Sequence, residues 1–349
     1  MTTTGPALAV RFGAMGDMVM FTATLRRIAA HHGGRVDVIT APGASAAVLR
    51  WCPQVGTVWT LTHRRAPWWL SAERRAAVRG AAAGGYTAAY IFEPVDGLEP
   101  RLAAAGCRVH RCAAPAGLGV RHAIDYQHAA LDACGLPPAA GCEAPQFTVD
   151  AADIADARTL VAARGLPERP IVIQVGSSRT MRALHRWRQG RNTKAWPVAA
   201  WAALIQGLAE RHPGAGFAFA GAPREAPDIA EVRAALPDAV RARTADLSDA
   251  LPVRTLAGLL VAARGCVSVD TGPAHLAGAV GCPLVVLFGP ADHRICRPRG
   301  PAPVQVVAAR APCSPCHGTP LAARCRDNIC MQGIAAAEAL RAWDALGVA

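Results

Sequence analysis

The stretch Gly265 to Pro290, GCVSVDTGPAHLAGAVGCPLVVLFGP, constrains the fold more than any other part of the chain. The β-prone segment Cys266 to Val269 runs into Asp270-Thr271-Gly272-Pro273, and Ala-rich helical sequence follows from His275 to Val280. A Gly281-Cys282-Pro283 break then leads to the apolar run Leu284 to Phe288. Strand, tight loop, helix and strand make the crossover unit of parallel α/β sheets. Such sheets bind ligands beyond the carboxyl ends of their strands, which is where Asp270 to His275 belongs. Backbone N–H groups at a helix start favour a phosphate. Thr271 adds a hydroxyl donor, and Gly272 lets a ligand approach the main chain. A plain cap, with Asp270 or Thr271 as N-cap and Pro273 near N1, uses the same geometry. Local physics leaves both roles open.

The ordered pattern D-T-G-P-x-H-L-x-x-A, followed by G-x-P-x-x-x-L-F-G-P, resembles the nucleotide-sugar signature of the family 9 glycosyltransferases, the lipopolysaccharide heptosyltransferases. The resemblance implies that Asp270, Thr271, Gly272 and His275 contact an ADP-heptose donor.

At the other end of the chain, Ala7 to Phe12 reads as a strand and Gly13 to Asp17 as the loop after it. A helix is expected from Met18 to Ala30, which puts Asp17 at its N-terminus. A carboxylate there caps the helix, stabilising it by about 1 kcal/mol, or takes a proton from an acceptor hydroxyl. The run R-F-G-x-M-G-D-M-V-M again resembles the heptosyltransferases, and the resemblance implies that Asp17 is the catalytic base. Further strands are expected at Arg35 to Thr40, Val55 to Leu61, Tyr86 to Phe92 and Cys107 to Arg111. Between them His63-Arg64-Arg65-Ala66-Pro67-Trp68-Trp69 mixes basic and aromatic residues. It suits either a solvated loop or one that meets anionic sugar or lipid headgroups. Arg64 and Arg65, with Arg121 beside His122 and Tyr126, are the acceptor-binding candidates.

From Leu136 to Pro170 the chain is rich in Pro, Gly and Ala, with one expected helix from Ala151 to Arg164, and the domain boundary is placed here. A new strand, Pro170 to Val175, ends in Gly176-Ser177-Ser178, whose hydroxyls and N–H groups suit a phosphate. The Arg-rich stretch Arg179 to Arg191 precedes Lys194-Ala195-Trp196-Pro197 and an amphipathic helix, Val198 to Arg211. K-x-W-P before a helix matches the family, and the resemblance implies that Lys194 binds the donor phosphates. The Arg-rich insertion departs from the family pattern, so Ser177, Ser178 and Thr193 are all eligible for the family's hydroxyl pair. The loop Gly221 to Glu225, after the strand Gly216 to Ala220, carries the glutamate that the family places near the ribose, here Glu225.

Twelve cysteines and a formal charge of +12 complete the picture. Cys52, Cys107, Cys112, Cys134, Cys142, Cys266, Cys282 and Cys296 are scattered singly and read as small buried hydrophobes. Cys313, Cys316, Cys325 and Cys330 form C-x2-C-x8-C-x4-C. They could hold a structural Zn or Fe, or remain reduced thiols in a loop; a final helix from Ile334 to Leu346 follows. The positive charge is mostly Arg and reads either as an Arg-rich composition on solvated faces or as affinity for an anionic glycolipid or membrane surface. Without a nucleic-acid-binding motif, nucleic acid is not an expected partner. No run of about 18 uncharged apolar residues suggests a spanning helix, and the N-terminus has no signal-type segment. A cytoplasmic protein is expected, either free or peripheral on the cytoplasmic face of the inner membrane.

Together these features imply an α/β chain of the GT-B fold, two Rossmann-like domains with a cleft between them. The expected limits are an acceptor-binding domain at 1–150, a linker at 151–168, a nucleotide-sugar-binding domain at 169–333 and a terminal helix at 334–349. The implied reaction is inverting transfer of a heptose, or a similar sugar, from an ADP-sugar to a hydroxyl of a lipopolysaccharide core. No D-x-D pair stands on a strand-end loop, so no cofactor is expected for catalysis. Alternatives are a protein O-heptosyltransferase of the autotransporter type and a non-catalytic nucleotide-sugar-binding relative. A Rossmann oxidoreductase is disfavoured, because Gly13-Ala14-Met15-Gly16-Asp17 lacks G-x-G-x-x-G and Asp17 would repel a pyrophosphate.

Overall fold

A computed structural model of the chain describes residues 5–62, 71–177 and 192–348. The chain divides into two compact units, Met1–Pro145 and Gln146–Ala349. Arg64, Arg65 and Ser178 lie outside the described residues, as does the Arg-rich stretch before Asn192.

The first unit runs β1 (Ala7–Val10), α1 (Met15–His32), β2 (Val36–Thr40), α2 (Ala44–Arg50) and β3 (Val55–Thr60). It continues with α3 (Ala72–Ala82), β4 (Ala88–Ile91), α4 (Leu98–Ala104), β5 (Arg108–Arg111) and α5 (Ala123–Ala133). The strands form one parallel sheet in the order β3-β2-β1-β4-β5. Central β1 and β4 are buried along their whole length, as expected where helices cover both faces. The edge strand β5 reads Arg-Val-His-Arg and is exposed at both ends; charge there discourages a further strand from pairing. Helix α1 starts at Met15, ahead of the expected Met18, so Asp17 stands in its first turn. Gly16 inside that turn masks the helix start, because glycine is a poor helix former.

The second unit opens with α6 (Ala151–Ala163), β6 (Ile171–Gln174), α7 (Val198–Arg211) and β7 (Phe217–Ala220). Then come α8 (Ala226–Ala234), α9 (Asp238–Arg241), β8 (Thr244–Asp246), α10 (Val253–Ala262) and β9 (Gly265–Val269). After α11 (Gly272–Val280), β10 (Leu284–Phe288), α12 (His293–Cys296) and β11 (Val304–Ala308), the chain closes with α13 (Pro320–Arg324), α14 (Ile329–Gln332) and α15 (Ala336–Asp344). The sheet is again parallel, ordered β11-β10-β9-β6-β7-β8. Its edge strands β8 and β11 escape the sequence reading; β8 is only 3 residues long, too short for a period to show. Ile171, Ile173, Val267, Val269, Val285 and Leu287 build one core with Trp196, Trp201 and Trp343.

The segment 151–168, read as a linker, carries α6, which packs on α10 within the second unit. Their backbones nearly touch: a Cβ on Gly258 would lie 2.1 Å from the carbonyl oxygen of Asp153. Arg254 clasps the same turn, donating to Asp153 Oδ2 at 2.7 Å and Asp150 Oδ2 at 2.6 Å.

Candidate active site

Each sheet has a switch point where the strand order reverses, and loops splay apart there to leave room for a ligand. In the second sheet it lies between β6 and β9, the first strand of the unit and its later neighbour. Gly176 and Ser177 follow β6, and Asp270 and Thr271 follow β9, so topology alone brings these loops side by side. Lys194 approaches from the segment between β6 and α7, and Glu225 from the end of β7.

Lys194 and Asp270 form the centre of the site. Lys194 Nζ donates to Asp270 Oδ2 at 2.6 Å and to the Asp270 backbone oxygen at 2.9 Å. With side chains only 16% and 9% exposed, the pair is largely out of water and its charges are poorly screened. His275 Nε2 stands 3.9 Å from Asp270 Oδ1, beyond hydrogen-bond reach. Thr271 occupies the N-cap position of α11 with extended backbone, but its side chain makes no capping bond. The first turn instead closes through the main chain, Ala274 N–H donating to Thr271 O at 3.1 Å. Asp270 is therefore a lysine partner rather than a cap, and the Thr271 hydroxyl is left out of the capping role.

Buried Ser177 donates from Oγ to Asn192 Oδ1 at 3.2 Å, and the same oxygen accepts the Lys194 backbone N–H at 3.2 Å. Thr193, between Asn192 and Lys194, is buried. Glu225 ends a single 3-10 turn, Pro223–Glu225, where an open loop is expected. Its Oε2 accepts the Ala222 N–H at 2.8 Å and Gln174 Nε2 at 3.4 Å. Burial pushes its carboxyl above the ordinary glutamate range, with the two hydrogen bonds opposing. A Cβ at Gly176 would fall 2.0 Å from Glu225 Oε1, so any larger residue there would displace the Glu225 side chain.

In the first unit, Asp17 lies at the carboxyl end of β1, beside the switch between β1 and β4. It stands at the third helical position of α1 and not at the N-cap, which is Ala14. Asp17 Oδ2 reaches back to accept the Ala14 N–H at 2.9 Å, so the capping bond is made from inside the helix. Arg121 is exposed, with Nε donating to Leu118 O at 3.0 Å, and His122 Nδ1 caps α5 by accepting the Ile124 N–H at 3.2 Å.

The tail cysteines gather near the end of β10. Ser314 Oγ donates to Gly289 O at 2.7 Å, and the N–H groups of Cys316 and His317 donate to Pro290 O. Cys316 and Cys330 are buried, while Cys313 and Cys325 are half-buried. Cys313, Cys316 and Cys325 all lie close enough to act on the Cys330 thiol, which burial pushes up first. The four thiols are thus neighbours. Among the described residues, however, no three His, Cys, Asp or Glu side chains are placed to hold a metal ion. Of the cysteines read as isolated, Cys112 and Cys134 meet with Sγ atoms 3.9 Å apart.

Three residues of the site escape the sequence reading: Gln174, Asn192 and Asn328. Gln174 spans the β6 and β7 loops, and Asn192 ties Ser177 to Lys194. Asn192, two residues before Lys194, carries the one available signal, the habit of Asn side chains to bond backbone two residues on. Asn328, whose Nδ2 donates to the backbone oxygen of Ala195 beside Lys194 at 2.8 Å, is distant in sequence and has none.

The sequence profile of glycosyltransferase family 9 (heptosyltransferase) matches residues 121–325. Lipopolysaccharide heptosyltransferase 1 of Pseudomonas aeruginosa is 34% identical over 127 residues, which are 36% of this chain and 33% of that protein. The chain thus spans about a third of the length of the curated relatives it matches. The structure of E. coli ADP-heptose lipopolysaccharide heptosyltransferase II superposes with a TM-score of 0.73 at 19% identity, covering 98% of each chain. The iron-containing dodecameric glycosyltransferase TibC of enterotoxigenic E. coli superposes with a TM-score of 0.55 at 15% identity, over 100% of this chain and 80% of that one. These superpositions establish the fold as GT-B. With the profile extending over more than half of its length, the chain belongs to glycosyltransferase family 9.

Proposed function

We propose that the protein transfers a heptosyl group from an ADP-linked donor to a hydroxyl of a lipopolysaccharide core acceptor, with inversion at the anomeric carbon. The observation that carries this reading is the Lys194–Asp270 pair at the switch point of the second sheet, with Ser177, Thr271 and Glu225 on the surrounding loops. A diphosphate offers Lys194 more negative charge than one carboxylate does. Thr271 and the N–H of Gly272 at the start of α11 add donors. Glu225 is an acceptor suited to ribose hydroxyls. The fold relative E. coli ADP-heptose lipopolysaccharide heptosyltransferase II supports the choice of nucleotide and sugar.

In this reading Asp17 removes the acceptor hydroxyl proton as the oxygen attacks the anomeric carbon. The bond from that carbon to the diphosphate breaks, and ADP leaves with the electron pair. Lys194, Thr271 and the Gly272 N–H take up the charge that develops on the departing diphosphate. With no D-x-D pair in the chain, the reading assigns this work to protein donors rather than to a bound divalent ion. Residues 1–150 serve the acceptor and 169–333 the donor, with Arg64, Arg65 and Arg121 as acceptor-side cations. The formal charge of +12 supports a phosphorylated glycolipid at the cytoplasmic face of the inner membrane. No helix among the described residues is long and apolar enough to cross a membrane.

As thiolates, Cys313, Cys316, Cys325 and Cys330 would supply the ligands of a structural zinc or iron. The test of the main reading is a calorimetric screen of nucleotide-sugars with intact-mass detection of the glycosylated product. ADP-heptose should bind and be turned over; preference for a uridine- or guanosine-linked sugar would overturn the donor assignment.

A further inference from the structure

Asn328 is the one non-glycine residue among those described that adopts the left-handed backbone conformation, with φ 33° and ψ 44°. Asn tolerates this region better than other side chains, at some cost. Its surroundings show what the conformation serves. Asn328 Nδ2 donates to Ala195 O at 2.8 Å and lies 3.5 Å from Asn192 O. Its Oδ1 accepts from Gln332 Nε2 at 3.1 Å, which fixes the amide the right way round. Its own carbonyl accepts the N–H of Met331, a fully buried side chain that packs over Gly289 at the end of β10.

The two carbonyls facing Asn328 belong to one tight turn, closed by Ala195 N–H donating to Asn192 O at 2.9 Å. Lys194 sits inside that turn. From the other side, Asn192 Oδ1 holds the Lys194 N–H, and just beyond the turn Trp196 Nε1 donates to Ile334 O at 3.0 Å. The turn is thus clamped between the sheet and the cysteine-bearing tail. Lysine places a point charge on four flexible carbons, so where its ammonium can rest depends on how firmly its backbone is held.

We propose that Asn328 is a positioning residue for Lys194, holding the 192–195 turn so that the ammonium is already directed at the donor diphosphate. The inference rests on the reading of Lys194 as the diphosphate-binding cation. It assigns the tail a part in donor affinity: the segment between Cys325 and Cys330 carries the side chain that fixes the lysine loop.

The test uses the full chain and calorimetric titration with ADP and with adenosine. N328G keeps the left-handed backbone, which glycine adopts freely, and removes the amide. It should weaken ADP about three- to ten-fold, the loss of one or two hydrogen bonds, and leave adenosine unchanged. N328D keeps the side-chain volume but offers no N–H, and should weaken ADP at least as much. In a K194A background neither substitution should cost further ADP affinity, because the group they position is gone. If the losses persist at full size in K194A, or extend equally to adenosine, Asn328 acts on general structure and the proposal fails. It fails too if K194A weakens ADP while N328G and N328D do not. Unchanged ADP affinity in K194A alone places the fault with the reading of Lys194 itself.

Discussion

Lys194 Nζ binds Asp270 twice, through the carboxylate at 2.6 Å and through the backbone oxygen at 2.9 Å. A ligand that draws the ammonium away from the carboxylate leaves it close to the peptide at the very start of the α11 loop. The pair is therefore a resting place for the lysine beside the position assigned to phosphate. Lys194→Ala should weaken ADP binding about 10- to 100-fold, the worth of one or two charge-assisted hydrogen bonds. Turnover of the unsubstituted protein should be the same in EDTA as in magnesium. A strict requirement for added divalent metal would show that the donor charges are handled by another group.

Asp17→Asn separates chemistry from capping. Asn retains an oxygen that can accept the Ala14 N–H, so α1 should keep its first turn and thermal stability should move little. Transfer should fall about 10²- to 10⁴-fold, the usual worth of a general base, with ADP affinity within a few-fold of normal. Near-normal turnover in this variant returns Asp17 to the capping bond alone.

Glu225 gives a pH signature. Burial raises its carboxyl above 4.5 in the folded protein, so the native state holds a proton that the unfolded chain has already lost. That contribution to stability is complete below about 4.5 and is lost as pH rises through the folded value. At neutral pH the ionised side chain is a net burden on the fold. Glu225→Gln should therefore raise the melting temperature at pH 8 relative to the native sequence, and the gain should shrink towards pH 4. Adenosine affinity should fall in the same variant. A destabilisation that grows with pH would refute the assignment of a raised carboxyl.

Gly258→Ala tests the seam between α6 and α10. The new methyl would sit 2.1 Å from the Asp153 carbonyl oxygen, a backbone atom that cannot swing aside. The helices must separate and loosen the Arg254 clasp. We expect a loss of about 1–3 kcal/mol, read by urea denaturation, with the donor site intact below the transition.

Cys316→Ser examines the tail. With a four-thiolate structural site, the purified protein carries about one equivalent of zinc or iron, and the substitution should release it and lower the melting temperature. Elemental analysis that finds neither metal, with all four thiols titrating after unfolding, leaves a loop of neighbouring reduced thiols.

The parts legible in the sequence are those whose signal is local. β9, its Asp-Thr-Gly-Pro turn, α11 and β10 follow one another without interruption, so their placement needs no knowledge of the rest of the chain. Helix α7 appears within the expected limits because its apolar period is clean. Boundaries slip where a residue contradicts its neighbours, as Gly16 does at the start of α1 and Pro273 at the start of α11. What could not be read is partnership across the fold. Nothing near Asp270 announces that its carboxylate meets Lys194, and nothing near Asn328 announces Ala195. Such contacts depend on where the sheet order reverses, and strand patterns do not encode strand order.

The pairing of β6 with β9 has a kinetic side. Ile171 lies beside Gly265, about ninety residues later, so the second sheet cannot close its middle until most of the unit has been made. Parallel pairings of such long range form slowly, since the intervening loop entropy is surrendered before the contacts reward it. Ser177 and Asp270 follow the ends of these two strands, so the proposed donor site is complete only once β6 and β9 have paired. On the proposed reading of this site, ADP binds and stabilises only molecules in which the β6–β9 pairing is complete.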